Sequence, residues 1–305
     1  MDPLAPLPAR PLKGGSVLAV DIGGTKFRAG IVGAGGEVLA SVVAPTPRAA
    51  DAETLWSSLA TVVCEVFELG TAADAVACGV GCGGPMRDDG DEVSPLNIPG
   101  WQRFPLRSRL QELTGLPTFV DNDAKALALA EGRYGRAAGV DDYLAMVVST
   151  WIGGGLVVDG CLLDGRLGNA GHVGHVIVEP SGRRCVCGAR GCLEAEASGT
   201  AIEAITGRPP AEASRDVVER TGMLVGRAVA SVAALLDLDL AVVSGSVALG
   251  YGAPFFAAAQ AELSARARLS FAADARIVPG ALGADGPLAG AAAVGFRGIE
   301  RAGCP

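Results

Sequence analysis

Between His172 and Cys192 the chain gathers both of its histidines and three of its eight cysteines, in the run HVGHVIVEPSGRRCVCGARGC. The imidazole of His175 with the thiolates of Cys185, Cys187 and Cys192 makes a closed tetrahedral donor set, the kind Zn²⁺ takes at structural sites. Pro180 and the glycines Gly182, Gly188 and Gly191 let a short loop double back so that four ligands can converge. The competing reading is three apolar buried cysteines beside an ordinary loop histidine. A disulfide would leave an odd thiol. Four protein ligands leave no open position, so this metal is expected to brace structure and do no chemistry. Whatever it orders also fixes its neighbours, His172 before the first ligand and Glu194 just after the last.

At 305 residues the chain has room for two modest domains. It is 50% apolar and 19% charged, the balance of a packed globular protein. A net charge of −8, with no basic run longer than two residues, argues against a nucleic-acid surface. No stretch is apolar for long enough to span a bilayer. Residues 1–15, MDPLAPLPARPLKGG, lack the apolar core of a signal peptide and read as a flexible leader. Scattered Cys64, Cys78, Cys82, Cys161 and Cys304, beside a metal cluster, point to a reducing cytoplasm.

Along the chain, residues 16–21 read as a buried strand ending in Asp21. A tight turn follows at Gly23-Gly24-Thr25-Lys26, then strands over 27–32 and 38–43. This hairpin opening is unlike a dinucleotide-binding unit, where a helix follows the glycines. A helix is predicted over 52–69, a strand over 75–80 into Gly81-Cys82-Gly83-Gly84-Pro85, and a loop over 94–101. A helix over 106–113 and a strand over 117–120 lead to Asp121-Asn122-Asp123 and a helix over 124–134. The pattern then repeats in outline. It predicts a strand over 142–149, a glycine turn over 150–155, and strands over 156–158 and 161–163. Beyond the histidine–cysteine stretch, helices are expected over 200–205 and 215–236 and a strand over 240–243. A third glycine turn is expected over 244–250, a helix over 254–269, a strand over 275–278 and a terminal helix of small residues over 287–296. The boundary between halves is placed near Ala124, with the C-terminal helix returned to the first half; one continuous α/β domain is the alternative.

Glycine turns let backbone N–H groups approach an anion closely. Asp21 with Gly23, Gly24, Thr25 and Lys26 therefore reads as a phosphate-handling hairpin whose strand-end carboxylate can hold Mg²⁺ through water. Thr150, Gly153 and Gly154 sit at the corresponding turn of the second half. Gly245 and Ser246 end a strand and open a helix. Each turn alone is more often a plain turn; three in one two-half layout favour a nucleotide. Asp121-Asn122-Asp123 at a strand-to-helix junction is either an N-cap cluster or a site, and an N-cap needs only one such residue.

DIGGTK at Asp21–Lys26, NDA at Asn122–Ala124 and the His-to-Glu signature at His175–Glu194 resemble the ROK family of sugar kinases, and the likeness runs from about Val17 to Gly298. The resemblance implies the α/β actin-like ATPase (ribonuclease H-like) fold, two lobes with a hinge cleft. It implies ATP on the C-terminal lobe, Mg²⁺, structural Zn²⁺, and a hexose of glucose or N-acetylmannosamine type phosphorylated on its 6-hydroxyl. Carried over by position, Asp123 is the general base. Asn122, Asn97, Gly84, His172, His175 and Glu194 contact the sugar, His175 serving metal and sugar from its two ring nitrogens. A homodimer or homotetramer is implied as well.

The sequence departs from that pattern in places. His172 stands where many glucokinases of the family carry Glu, as in bacterial N-acetylmannosamine kinases; an imidazole can donate or accept where a carboxylate only accepts. Trp151 stands where a glycine is usual, Ser246 where a glycine is common, and the stretch 202–216 is short. A kinase of another polyol such as a cyclitol, and a non-catalytic sugar binder, stay open as alternatives. A sugar-sensing repressor is disfavoured because only about fifteen residues precede the first strand, too few for a DNA-binding module.

Overall fold

A computed structural model describes residues 15–48, 50–69, 74–87 and 90–302. The leader expected over 1–15 lies outside them except for Gly15, as does Cys304. The chain divides into two compact units. One comprises residues 1–134, 164–170 and 282–305, the other 135–163 and 171–281.

The first unit opens with strands β1 (Ser16–Ile22), β2 (Lys26–Gly33) and β3 (Val38–Pro45) and helix α1 (Ala52–Glu68). Strand β4 (Ala75–Cys82), the short hairpin β5 (Met86–Arg87) and β6 (Glu92–Val93), helix α2 (Leu106–Thr114), strand β7 (Thr118–Asn122) and helix α3 (Asp123–Tyr134) follow. The second unit holds β8 (Tyr143–Val148), β9 (Ile152–Val158), β10 (Cys161–Leu162), and helices α4 (Leu193–Ala197), α5 (Gly199–Thr206) and α6 (Arg215–Leu236). It ends with β11 (Leu240–Ser244), α7 (Ser246–Tyr251), α8 (Ala253–Arg266) and β12 (Arg276–Pro279). Helix α9 (Gly286–Ala302) returns to the first unit.

The two sheets share one topology. The order β3-β2-β1-β4-β7 in the first matches β10-β9-β8-β11-β12 in the second. In each, the first three strands run antiparallel and the last two join in parallel. Strand β1 shows the period of two that buries both faces. Leu18, Val20 and Ile22 join the core with α1 and α2, while Val17 and Ala19 join that with α9. Asp21 continues the second set, at the end of the strand. Small residues bring α9 in close: a Cβ on Gly290 would lie 3.0 Å from Ala126, and one on Gly295 2.7 Å from Val17.

Three expectations are corrected. The first unit runs through α3 to Tyr134, beyond the boundary expected near Ala124, because Ala130 of α3 packs against Ala289 and Ala293 of α9. The turn expected over 150–155 is shorter: β9 begins at Ile152, and Gly153, Gly154 and Gly155 pair with Val147, Met146 and Ala145. The turn expected over 244–250 is mostly helix α7, too short to show a period. Among the described residues no helix is long and apolar enough to cross a membrane.

Candidate functional site

In the first unit the candidate residues expected from the sequence gather at the strand ends. Asp21 lies in register with Gly81 of β4, and Gly81 with Asp121 of β7. Gly81 has no side chain to separate what flanks it; a Cβ there would sit 3.8 Å from Cα of Asp123. Asp21 is pushed up to about 7, first by burial and then by the Asp123 carboxylate, with Lys26 and Arg28 pulling the other way. Asp123 is exposed at the start of α3. Its Oδ1 accepts from the Ala124 amide (2.9 Å), as does Oδ1 of Asn122 (3.0 Å). Both therefore cap the helix, which leaves the amide nitrogen of Asn122 available near Gly84, where a Cβ would lie 3.6 Å from it. Asp121 is instead tied down, ion-paired with Lys125 (2.8 Å) and Arg297 (3.3 Å). The three-residue polar run thus splits into one buried anchor and two residues presented at the helix start.

The loop carrying Asn97 is tied to the same place. Ser94 and Leu96 donate their amides to the carbonyls of Pro85 and Gly84 (3.0 and 3.3 Å). Ile98 and Trp101 are buried beneath it, Trp101 stacked on Phe104 at 4.6 Å and on Phe27 at 6.0 Å. Asn97 lies against the first glycine turn: a Cβ on Gly24 would meet the Asn97 carbonyl oxygen at 2.8 Å and its Cβ at 2.9 Å. The Asn97 side-chain oxygen is buried with no hydrogen-bond partner. Gly23 donates to the Lys26 carbonyl (3.0 Å), which closes the turn, and Thr25 and Lys26 are exposed on it.

In the second unit His175, Cys185, Cys187 and Cys192 bring one ligand atom each within 4.8 Å of one another. Nδ1 of His175 lies 3.7 Å from Sγ of Cys185, and Sγ of Cys187 3.7 Å from Sγ of Cys192. The loop is closed by its own backbone, with Cys185 N–H on the Ala189 carbonyl and Gly191 N–H on that of Arg183. Gly191 is at φ 71°, pressed on the Glu179 carbonyl where no Cβ fits. Three thiols and an imidazole gathered this closely fit Zn²⁺.

Cys192 is also the N-cap residue of α4, so the histidine–cysteine cluster leads straight into Glu194. Glu194 is buried; its Oε2 accepts from the Ile152 amide at 2.6 Å, and its Oε1 has no hydrogen-bond partner. Burial pushes the carboxyl above its usual range, with the Ile152 amide and the nearby Ser198 hydroxyl pulling the other way. His172 and His175 bracket a single 3₁₀ turn, both exposed, their rings 6.1 Å apart. Gly174 between them sits where a Cβ would lie 3.2 Å from Oε2 of Glu194. With Nδ1 turned to the cysteines, Nε2 of His175 is left for another partner.

Sequence reasoning missed Glu196. It is buried on the other side of α4. Oε1 accepts from the Arg183 amide (2.6 Å), and Oε2 pairs with the guanidinium groups of Arg183 (2.9 Å) and Arg220 (2.7 Å), tying the cysteine loop to α6. The turn between β8 and β9 is held by Gly199, which donates to the Ser149 carbonyl (2.7 Å), and by the Thr200 hydroxyl on the Thr150 carbonyl (3.0 Å). The Ser149 and Ser246 hydroxyls meet at 2.8 Å. Gly245, at φ 102°, is pressed against the Val148 carbonyl. Gly154 is buried in β9, where a Cβ would lie 2.8 Å from Val173. Its lack of side chain serves packing. Trp151 is 43% exposed on the turn itself.

The sequence profile of the ROK family matches residues 17–296. The N-acetylmannosamine kinase of Escherichia fergusonii is 36% identical over 253 residues, 78% of this chain and 85% of that protein. The ROK hexokinase of Thermus thermophilus superposes with a TM-score of 0.79 at 34% identity, covering 94% of this chain and 99% of its own. A ROK family glucokinase of Streptomyces griseus, solved in complex with glucose and AMPPNP, gives 0.79 at 29% identity, over 93% and 100% of the two chains.

Proposed function

Because the chain belongs to the ROK family and has the actin-like ATPase fold of its sugar kinases, we propose that it transfers the γ-phosphoryl group of ATP to the 6-hydroxyl of a hexose of glucose or N-acetylmannosamine type. The observation that carries this reading is the Glu194 carboxylate: one oxygen fixed by the Ile152 amide, the other buried and unpaired. A buried acceptor without a donor is costly, and a ligand hydroxyl supplies the donor. The buried, unpaired oxygen of Asn97 makes the same demand in the first unit. Asn122, Gly84, His172 and Nε2 of His175 complete the proposed set of sugar contacts.

Asp123 takes the proton of the attacking hydroxyl; that oxygen bonds to the γ-phosphorus as the bond to the β–γ bridging oxygen breaks, and ADP leaves. Asp21, Gly23, Gly24, Thr25 and Lys26, with the β8–β9 turn at Thr150 and the α7 start at Gly245 and Ser246, are the proposed nucleotide contacts. Mg²⁺ supplies charge neutralisation on the phosphates, and Asp21 is the carboxylate that would hold it. Zn²⁺ on His175, Cys185, Cys187 and Cys192 keeps α4 in place. The cytoplasm is the proposed compartment.

His172 favours N-acetylmannosamine over glucose, since an imidazole can donate to an acetamido carbonyl where a carboxylate cannot. The test is a coupled ADP-release assay with ATP and a panel of N-acetylmannosamine, glucose and a cyclitol. Turnover highest with N-acetylmannosamine is expected. ADP release with none of them removes the kinase reading.

A further inference from the structure

We propose that Glu194 is a positioning residue as well as a sugar contact: a hydroxyl bound at its free oxygen stiffens the β8–β9 turn, so that sugar and nucleotide bind the second unit synergistically. The inference rests on the kinase reading above. It comes from where the two oxygens of one carboxylate point. Oε2 holds the amide of Ile152, the first residue of β9. The turn before it closes when Ser149 donates to the Trp151 carbonyl (3.1 Å), so the amide that Glu194 holds is the one that ends the turn. Oε1 is buried with no hydrogen-bond partner.

The remaining supports of the turn belong to the same stretch of chain. Cys192 caps α4, Glu194 lies in α4, and Ser198 caps α5 by accepting from Ala201 (3.1 Å). Gly199 and Thr200, at the start of α5, hold the carbonyls of Ser149 and Thr150. Residues 192–200 are therefore a bracket with three hold points on one turn and a metal ligand at its root. The Ser149 hydroxyl passes the restraint on to Ser246. A hydroxyl donating to Oε1 completes a buried network that lacks one member, and completed networks strengthen their other bonds. The turn it fixes is the proposed phosphate contact. Linkage makes the effect reciprocal.

The experiment is calorimetric titration of AMPPNP into zinc-loaded protein, with and without saturating N-acetylmannosamine, for the wild type, Glu194→Gln and Asn97→Ala. The wild type is expected to bind AMPPNP about 5- to 100-fold tighter with sugar present. Asn97→Ala should need more sugar yet keep that ratio at saturation, while Glu194→Gln, with an unchanged Tm, should bring it close to one. Glu194→Gln holding the wild-type ratio overturns the inference, as does a wild-type ratio of one in a protein that turns over. A wild type that neither binds nor phosphorylates sugar overturns the kinase reading, and the inference with it.

Discussion

The two sheets carry a hairpin turn at the same topological position, between β1 and β2 in one unit and between β8 and β9 in the other, and the two turns are built by opposite means. The first is open. Thr25 and Lys26 are exposed, the glycines leave room for Asn97, and the electrostatics come from two neighbouring carboxylates. The second is braced. Its amide and carbonyls are held by Glu194, Gly199 and Thr200, and its glycines lie inside the strand. One topology thus supports a charged end in one unit and a scaffold rooted in the histidine–cysteine cluster in the other.

That contrast says where losing the metal should hurt. Purified protein should carry about one Zn²⁺ per chain, and Cys192→Ser should lose it, with on the order of 10 kcal/mol of binding free energy at stake. Hydrogen exchange should then speed up across residues 172–200 while β1, β2 and β7 keep their protection. Metal-free protein that stays protected through residues 172–200 breaks the comparison at its root.

The charged end makes the next largest prediction. Asp123→Asn keeps the shape and a capping oxygen but removes the base, and kcat should fall by about 10²–10⁴ with sugar affinity within a few-fold. The checks are steady-state kinetics and calorimetric sugar binding. Undiminished turnover would take the base away from the first unit.

Asp21 supplies a pH test of the same end. Its carboxyl is raised from 3.8 to about 7 in the folded protein, so the native state holds the proton more tightly than the unfolded chain does. Where the native state binds more protons, stability falls as pH rises. In Mg²⁺-free buffer the wild type should lose stability between pH 4 and 7, at most about 1.4 kcal/mol per unit of pH and less with solvent screening. Asp21→Asn should flatten that slope in denaturant titrations. An unchanged slope would mean that burial, with Asp123 beside it, does not hold the proton on Asp21.

How much of this could be read beforehand depends on how local the cause is. The gathering of His175, Cys185, Cys187 and Cys192 was legible because all four fall within one short loop. The two hairpin openings were legible because alternation and glycine turns are local as well. Helix α4 was not: five residues show no period, and its cap, Cys192, makes no side-chain cap bond. The anchoring of Glu196 by Arg220 spans 24 residues, and the unpaired oxygen of Glu194 exists only once the fold has closed around it. The glycine run 153–155 misled because a run of glycines reads as a turn whether it bends or pairs.

The smallest effects test the comparison most directly, since they come from the same substitution in the two hairpins. A Cβ on Gly24 meets the backbone oxygen and Cβ of Asn97, which cannot turn aside, so Gly24→Ala must displace the loop that carries Asn97, a proposed sugar contact. The expected result is a rise in KM for sugar of about tenfold, with a smaller drop in Tm than a clash inside the sheet would give, because the half-buried turn can shift. A Cβ on Gly154 meets a methyl of Val173 at 2.8 Å and the Ala145 carbonyl at 3.1 Å, inside the sheet. Overpacking of that kind costs about 1–3 kcal/mol. Gly154→Ala should therefore lower Tm by several degrees while KM for ATP stays within about twofold, since the added methyl is directed into the packing of β9 against Val173. If Gly154→Ala instead left Tm alone and raised KM for ATP, the strand glycine would be a phosphate contact, and the two hairpins would work alike.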